Sequence, residues 1–263
     1  MTVTNESAPT PSAPLRPWIA DISVLTVAGF GQRPFTHLPD PATALVFRTT
    51  AAGRSDLLVM GPRTRASYRT GKDVPFCLKV RIRPGRARPL LGVPVGELAD
   101  RVVPLGDLWG EPADRLAHEL ARLGPDPALV LEHLEAELLA RLTTRTPADL
   151  SRSDLLHTAT QALTTRAHQR PERVPALAER LGVSERHLRT LFTDGVGLSP
   201  KHLARIERVR SVLARRPGQR HWAQLATESG YYDQSHMTAD FHDVMGAPPH
   251  AFHAGRLPAA QPC

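Results

Sequence analysis

Five positions of this chain repeat at one spacing. Ser184, Leu188, Phe192, Gly197 and Pro200 recur 49 residues later as Asp233, Met237, Phe241, Gly246 and Pro249. Each pair shares a conformational role. Ser and Asp offer the side-chain oxygen that caps a helix N-terminus, and the two apolar residues, four apart, lie on one helix face. Glycine permits the left-handed turn that ends a helix, and proline is tolerated in the first turn of the next one. Ahead of the caps stand shorter helical segments, Leu177, Ala178 and Leu181 before Gly182, and Leu225 and Ala226 before Gly230. The small alanines let two helices cross closely at a steep angle, the geometry of a helix-turn-helix. Residues 174–253 therefore read as two such motifs.

The spacing between the copies predicts one continuous helix over residues 200–215. It has Leu203, Ile206, Val209 and Leu213 inward and Lys201, Arg205, Arg208 and Arg216 outward. Such a helix is a rod of about 22 Å at 1.5 Å per residue, stiff enough to set the distance between two recognition helices. Two helices held on one face of a duplex enter successive major grooves roughly 34 Å apart. The outward face of the first recognition helix carries Arg186, His187, Arg189 and Thr190, and that of the second carries Gln234, Ser235, His236 and Thr238. Arginine pairs bidentately with guanine O6 and N7, glutamine with adenine N6 and N7, and threonine with the thymine methyl or a phosphate. Asp240 would repel phosphates, so it is expected to turn inward.

Charge agrees with a polyanionic partner. The chain of 263 residues has a formal net charge of +7, and residues from 151 onward hold 15 Lys and Arg against 10 Asp and Glu. Neutralised phosphates release counterions, which favours binding by a basic surface. Hydrophobic content of 41% is ordinary for a folded protein, and no apolar run reaches the length of a membrane helix. Residues 1–14 are rich in Ser, Thr, Pro and Ala and read as a disordered leader rather than a signal peptide, which places the protein in the cytoplasm. Two cysteines, Cys77 and Cys263, are too few for a disulfide framework or a zinc cluster.

The N-terminal half follows a different grammar. Residues 18–27, 43–49 and 56–60 are short runs rich in Leu, Val and Phe. Gly29, Gly31, Pro39, Pro41, Gly53 and Gly61-Pro62 separate or bound them, as in strands joined by loops. Residues 76–83 alternate most clearly, with Phe76, Leu78, Val80 and Ile82 on one face and Lys79, Arg81 and Arg83 on the other. That cationic face extends through Arg63, Arg65, Arg69, Lys72, Arg86 and Arg88, relieved only by Asp73. It reads either as a site for an anionic effector, with Arg81 and Arg83 as candidates, or as a solvated sheet face whose long stems cover apolar surface. Cys77 on the same side is either a thiolate activated by cations or a packed thiol. Beyond Gly85, residues 90–103 predict a short helix and 104–109 a tight connection, followed by helices over 114–123 and 127–142. In the last of these, Leu131, Leu134, Leu138 and Leu142 form a stripe suited to core packing or a dimer seam. Residues 143–151 lack periodicity, and Ser153 or Asp154 can cap the helix that follows, with Leu155, Ala159 and Leu163 on one face, ending before Pro171. The division that results is a leader (1–14), an N-terminal domain (15–146), a DNA-binding domain (147–256) and a tail (257–263). The fold class is α+β, a β-rich N-terminal domain with helices and an all-α C-terminal domain.

Residues 174–253 resemble the DNA-binding domain of the AraC/XylS transcription regulators. The resemblance is carried by A-x3-G-V-S-x3-L-x3-F-x4-G and then by L-A-x3-G-Y-x-D-Q-S-x-M-x2-D-F-x4-G-x-P-P. It implies a sequence-specific regulator of transcription in which Arg186, Arg189 and Thr190, then Gln234, Ser235 and Thr238, face bases. Ala239 stands where the family has arginine, which makes the second copy the weaker reader. The N-terminal half is similar to a less characterised subgroup through Gly61-Pro62, Arg83-Pro84-Gly85, Leu91-Gly92-Val93-Pro94 and the stretch from Leu105 to Trp109. That likeness implies a cupin-like effector or dimerisation module. Expected partners are double-stranded DNA, RNA polymerase, a small-molecule effector and a second copy of the chain through the N-terminal domain. No membrane, cofactor, metal or enzymatic activity is expected. Two other readings remain. A repair methyltransferase fused to such a domain needs several N-terminal zinc-binding cysteines, and only Cys77 stands there. His242, His250 and His253 fit no compact zinc spacing. The other is an interaction module that has lost DNA binding, against which stand the arginines of the first copy.

Overall fold

In the computed structural model, which describes residues 9–27, 34–71, 74–164, 172–215 and 221–261, the N-terminal half is built on an antiparallel sheet. Residues 1–8, Gly29, Gly31, Lys72, Asp73, Pro171, Arg216 and Cys263 lie outside the described residues. The strands are β1 (Ile19–Val27), β2 (Pro34–His37), β3 (Ala44–Thr49), β4 (Ser55–Met60), β5 (Ser67–Thr70), β6 (Val74–Ile82) and β7 (Val102–Pro104). Five of them form one sheet in the order β1-β6-β3-β4-β7, and β2 pairs with β5 as a separate ribbon. The alternation at β6 sets the inner face: Phe76, Leu78, Val80 and Ile82 are buried, and neighbours on both sides add Val24, Leu45 and Phe47 to the same core.

Helices cover that face. They are α1 (Ala87–Leu91), α2 (Gly106–Trp109), α3 (Glu111–Leu123) and α4 (Pro127–Thr143). Leu131, Leu134 and Leu138 of α4 are buried in the sheet core, with Leu142 packed at its edge, so the leucine stripe is core and not a free seam. The region expected as a helix over 90–103 is instead the one-turn α1, a 3-10 turn at Val95–Leu98 and β7, because Gly92 and Pro94 interrupt the helical run. Within the expected leader, the backbone N–H of Ser12 donates to Glu135 at 2.9 Å, which ties residue 12 to α4.

The next helix starts earlier than the sequence suggests. α5 (Pro147–Leu163) begins at a capping box in which Thr146 and Asp149 exchange hydrogen bonds, so Ser153 and Asp154 lie inside it. Ser153 Oγ donates to Gly85 O at 3.0 Å, and Asp154 pairs with Arg86. Threonine also caps helices, though less strongly than serine or aspartate, and the lack of an apolar period over 143–151 conceals the first turn. The remaining helices are α6 (Val174–Arg180), α7 (Glu185–Val196), α8 (Pro200–Ala214), α9 (Trp222–Glu228), α10 (Gln234–Met245) and α11 (Pro249–His253). No helix among the described residues is long and apolar enough to cross a membrane.

Many of the basic residues are tied to carboxylates or carbonyls. Arg81 grips Asp40 with two parallel bonds, Nε to Oδ2 at 2.8 Å and NH2 to Oδ1 at 2.7 Å, and reaches Asp21 at 2.9 Å. Burial opposes ionisation of Asp40, but the bonds and charge of Arg81 outweigh it and hold the carboxyl below its usual range. Arg83 Nε donates to Arg16 O, and Arg63 Nε to Leu38 O. As effector candidates, Arg81 is therefore already neutralised and Arg83 is engaged with backbone. Burial pushes the Cys77 thiol up despite Arg48 and Lys79, which fits packing rather than a thiolate.

His37 on β2 carries a pH dependence. Its pKa falls to about 4 because burial penalises the charged ring, with Arg63, Lys79 and Arg69 adding to the effect. Between pH 6.5 and 4 the unfolded chain therefore binds a proton that the folded chain does not, so stability drops as pH falls through that window. Allowing for partial solvent screening, about 1–2 kcal/mol is expected. Denaturant melts at pH 7.5 and pH 5 check this: His37→Gln should flatten the pH dependence, and an unchanged dependence removes His37 as its source.

The two halves touch along a continuous seam. Ala66 N–H donates to Val244 O at 2.8 Å and Tyr68 Oη–H to Met245 O at 2.5 Å, which fixes β5 on the end of α10. Gln261 in the expected tail pairs along β5, donating to Tyr68 O and accepting from Thr70 N–H. Arg65 pairs with Asp243 at 3.0 Å, and Arg210 of α8 donates to Pro39 O at 3.0 Å. Near α7, Thr193 lies against Gly96, and Gly197 against Pro62 and Val95.

Candidate nucleic-acid interface

The repeated positions fold into repeated geometry. Ser184 Oγ accepts from His187 N–H at 3.1 Å and Asp233 Oδ1 from His236 N–H at 2.7 Å, so both serve as N-caps. Gly197 and Gly246 end α7 and α10 in the left-handed conformation, with φ of 81° and 71°. Pro200 and Pro249 open α8 and α11. Leu188 with Phe192, and Met237 with Phe241, are fully buried. Inside each turn a matching bond closes the angle between helices: Val183 N–H to Ala178 O at 3.0 Å, and Tyr231 N–H to Ala226 O at 2.9 Å.

α8 joins the two motifs by belonging to both cores. Leu203 and Ile206 lie in the first, with Leu177, Leu188 and Phe192, and Val209 and Val212 lie in the second, with Leu225, Met237 and Phe241. Val212 takes the innermost place expected for Leu213, which is only partly buried. Each half of α8 is thus packed into a different motif, and one rigid element relates them.

The predicted contact residues fall on the outer faces. Arg186, His187, Arg189 and Thr190 of α7 are exposed, as are Gln234 and Ser235 of α10, while Thr238 is half-buried. No carboxylate pairs with Arg186 or Arg189 among the described residues. Thr190 Oγ1 donates to Arg186 O at 3.3 Å. Lys201, in the first turn of α8, is exposed as well.

Arg205 and Arg208 differ from their expected outward placement. Asp240 is 8% exposed, turned inward as its charge required. Its Oδ1 meets Arg205 Nε at 2.7 Å and its Oδ2 meets Arg208 at 3.0 Å, while Arg205 also reaches Asp243 at 2.5 Å. The guanidinium of Arg208 lies 5.1 Å from the centre of the Tyr231 ring. Burial, helped by the Asp240 charge, pushes the Tyr231 phenol well above its usual range, so it stays protonated. These cations lock α10 to α8. Helical period alone put them on the free face, since it cannot show that a carboxylate of the next motif folds over them.

Two residues escaped the sequence reading. Matched positions of the copies stand 48 apart up to Gly182 and Gly230 but 49 apart from the caps onward, so the second turn holds one extra residue, Tyr232. It is 92% exposed beside the N-terminus of α10, and the change of offset was the signal for it. The other is Asp194 on α7, which faces Arg88 and Arg152 at 3.5 and 3.7 Å, a contact between halves that left no local pattern. Of the tail histidines, His253 packs on Trp222 with ring centres 5.7 Å apart, and burial lowers its pKa. No group of three His, Cys, Asp or Glu among the described residues is placed to hold a metal ion.

Comparisons with known proteins bear on both halves. Residues 8–104 match a domain of unknown function (DUF6597), and residues 177–255 match a family described as a helix-turn-helix domain. No curated protein matches the chain. Among solved structures, the chain is similar to the C-terminal domain of AraT, a response regulator from Geobacillus stearothermophilus, at 22% identity, over 40% of this chain and 88% of that one, with a TM-score of 0.35. It is similar to ToxT from Vibrio cholerae O395 at 11% identity, over 89% of this chain and 95% of that one, with a TM-score of 0.40. With the doubled geometry of α6–α7 and α9–α10, the match over residues 177–255 identifies that part of the protein as a helix-turn-helix domain.

Proposed function

We propose that the protein is a cytoplasmic transcription regulator that binds duplex DNA sequence-specifically, with α7 and α10 entering successive major grooves. The observation that carries this reading is the division of each recognition helix into a buried apolar face and an exposed polar face. On α7 the exposed face bears two arginines with no carboxylate partner among the described residues. Arg186, His187, Arg189 and Thr190 read bases or adjoining phosphates in one groove, and Gln234, Ser235 and Thr238 contact the other. Lys201 contacts the backbone. Arg205 is left out of this set because Asp240 and Asp243 hold its guanidinium.

The roles separate in measurement. Sequences selected from random duplexes by the full chain give the site, and fluorescence anisotropy over a salt series gives the affinities. Arg189→Ala is expected to relax preference in one half of the site, by about 1–3 kcal/mol of discrimination. Lys201→Ala is expected to weaken all duplexes alike and reduce the salt slope by about 1. If both variants lose affinity with base preference intact, the assignment of roles fails.

A further inference from the structure

Where α1, α5 and the connection between α4 and α5 meet, the surface opens into a cleft of about 170 Å³. Arg88, Arg145 and Arg152 line it, together with Gly85, Gly92 and the single carboxylate Asp149. Three guanidiniums converge there from three different segments. Arginine keeps its charge at any physiological pH and presents planar donors suited to oxyanions. Arg145 is held in place by its Nε, which donates to Pro89 O at 2.5 Å, and its NH2 lies 3.4 Å from the Cβ position of Gly92. Asp149 is engaged in the capping box with Thr146.

The other two arginines are only loosely satisfied. Arg88 and Arg152 both reach toward one oxygen, Oδ2 of Asp194, at 3.5 and 3.7 Å. Charge-assisted pairs ordinarily close to about 2.7–2.9 Å. Arg88, Arg152 and Asp194 remain 41%, 42% and 36% exposed, so a solute can reach them. The charge surrounding the cleft is three positive against two negative. At roughly 30 Å³ per water, the space equals about five or six waters, enough for one phosphate or carboxylate-bearing group.

We propose that this cleft binds a small, multiply charged oxyanion, which takes Arg88 and Arg152 in competition with Asp194. The site goes beyond the DNA reading and does not depend on it. Because Asp194 belongs to α7, the anion and the recognition helix draw on the same two arginines. Phosphate-bearing and carboxylate-bearing ligands share this chemistry.

The test uses the full chain and two probes, inorganic phosphate and citrate, titrated by calorimetry at constant ionic strength made up with sodium chloride. Saturable binding of at least one is expected, and the stronger of the two tells which anion class the cleft prefers. Arg88→Gln and Arg152→Gln should each weaken it by about tenfold or more. Arg54→Gln, on an exposed turn of the sheet, should leave it unchanged. Asp194→Asn removes the competing carboxylate and should tighten binding several-fold, a gain that misfolding cannot imitate. Absence of saturable binding to both probes overturns the proposal, as does unchanged affinity in the two arginine variants. Unchanged or weakened binding in Asp194→Asn overturns the competition.

Discussion

Gly197→Ala is expected to destabilise the protein by about 2–5 kcal/mol, while Gly246→Ala, at the equivalent position of the second motif, is expected to cost about 1–2 kcal/mol. Both glycines are left-handed, with φ of 81° and 71°, so alanine is strained at each. What surrounds them differs. A Cβ on Gly197 would lie 2.9 Å from Val95 O and 2.9 Å from Pro62 Cγ, the first of which is backbone of the N-terminal half and cannot swing aside. A Cβ on Gly246 would meet Pro258 at 3.5 Å, an ordinary contact. Equilibrium denaturation of the two variants side by side measures the difference. Equal losses would mean that the seam between halves adds nothing at α7, and that only the helix cap matters.

The second large effect belongs to Asp240. Asp240→Ala leaves the guanidiniums of Arg205 and Arg208 facing each other with their shared partner gone, and their side chains are only 27% and 21% exposed. Removing one member of a buried ion pair costs about 3–5 kcal/mol; with this much solvent access about 2–4 kcal/mol is expected. Since the network joins α8 to α10, loss of stability should come with weaker DNA binding, while base preference set by α7 survives. Denaturation midpoints and the binding assay described for Arg189 check both parts. An unfolding free energy within about 0.5 kcal/mol of the parent would falsify the view that this network holds the second motif in place.

Much of the C-terminal region was legible in the residues. N-caps, left-handed glycines and apolar residues four apart are local features, determined by a few neighbouring side chains, and all five repeated positions took the roles their types implied. Strand β6 was legible for the same reason, because alternation toward one core requires no knowledge of its partners. Local signals failed where two segments distant in sequence decide the outcome. The start of α5 at Thr146 was hidden by a first turn without an apolar period. The fate of the arginines was hidden because charge is spent at long range: Arg81 on Asp40, Arg208 on Asp240, Arg65 on Asp243.

Local sequence was enough to reveal two helix-turn-helix motifs, the caps and terminal glycines of α7 and α10, and the polar faces of those two helices, since these follow from backbone preference and helical period. How the motifs are held depends on packing between distant segments. α8 shares its apolar residues between two cores, Asp240 draws two cations off the outer surface, and the N-terminal half packs against both motifs through Val95, Pro62 and Tyr68. Those contacts depend on the close approach of segments far apart in the chain, where burial and charge pairing are settled by what arrives from elsewhere.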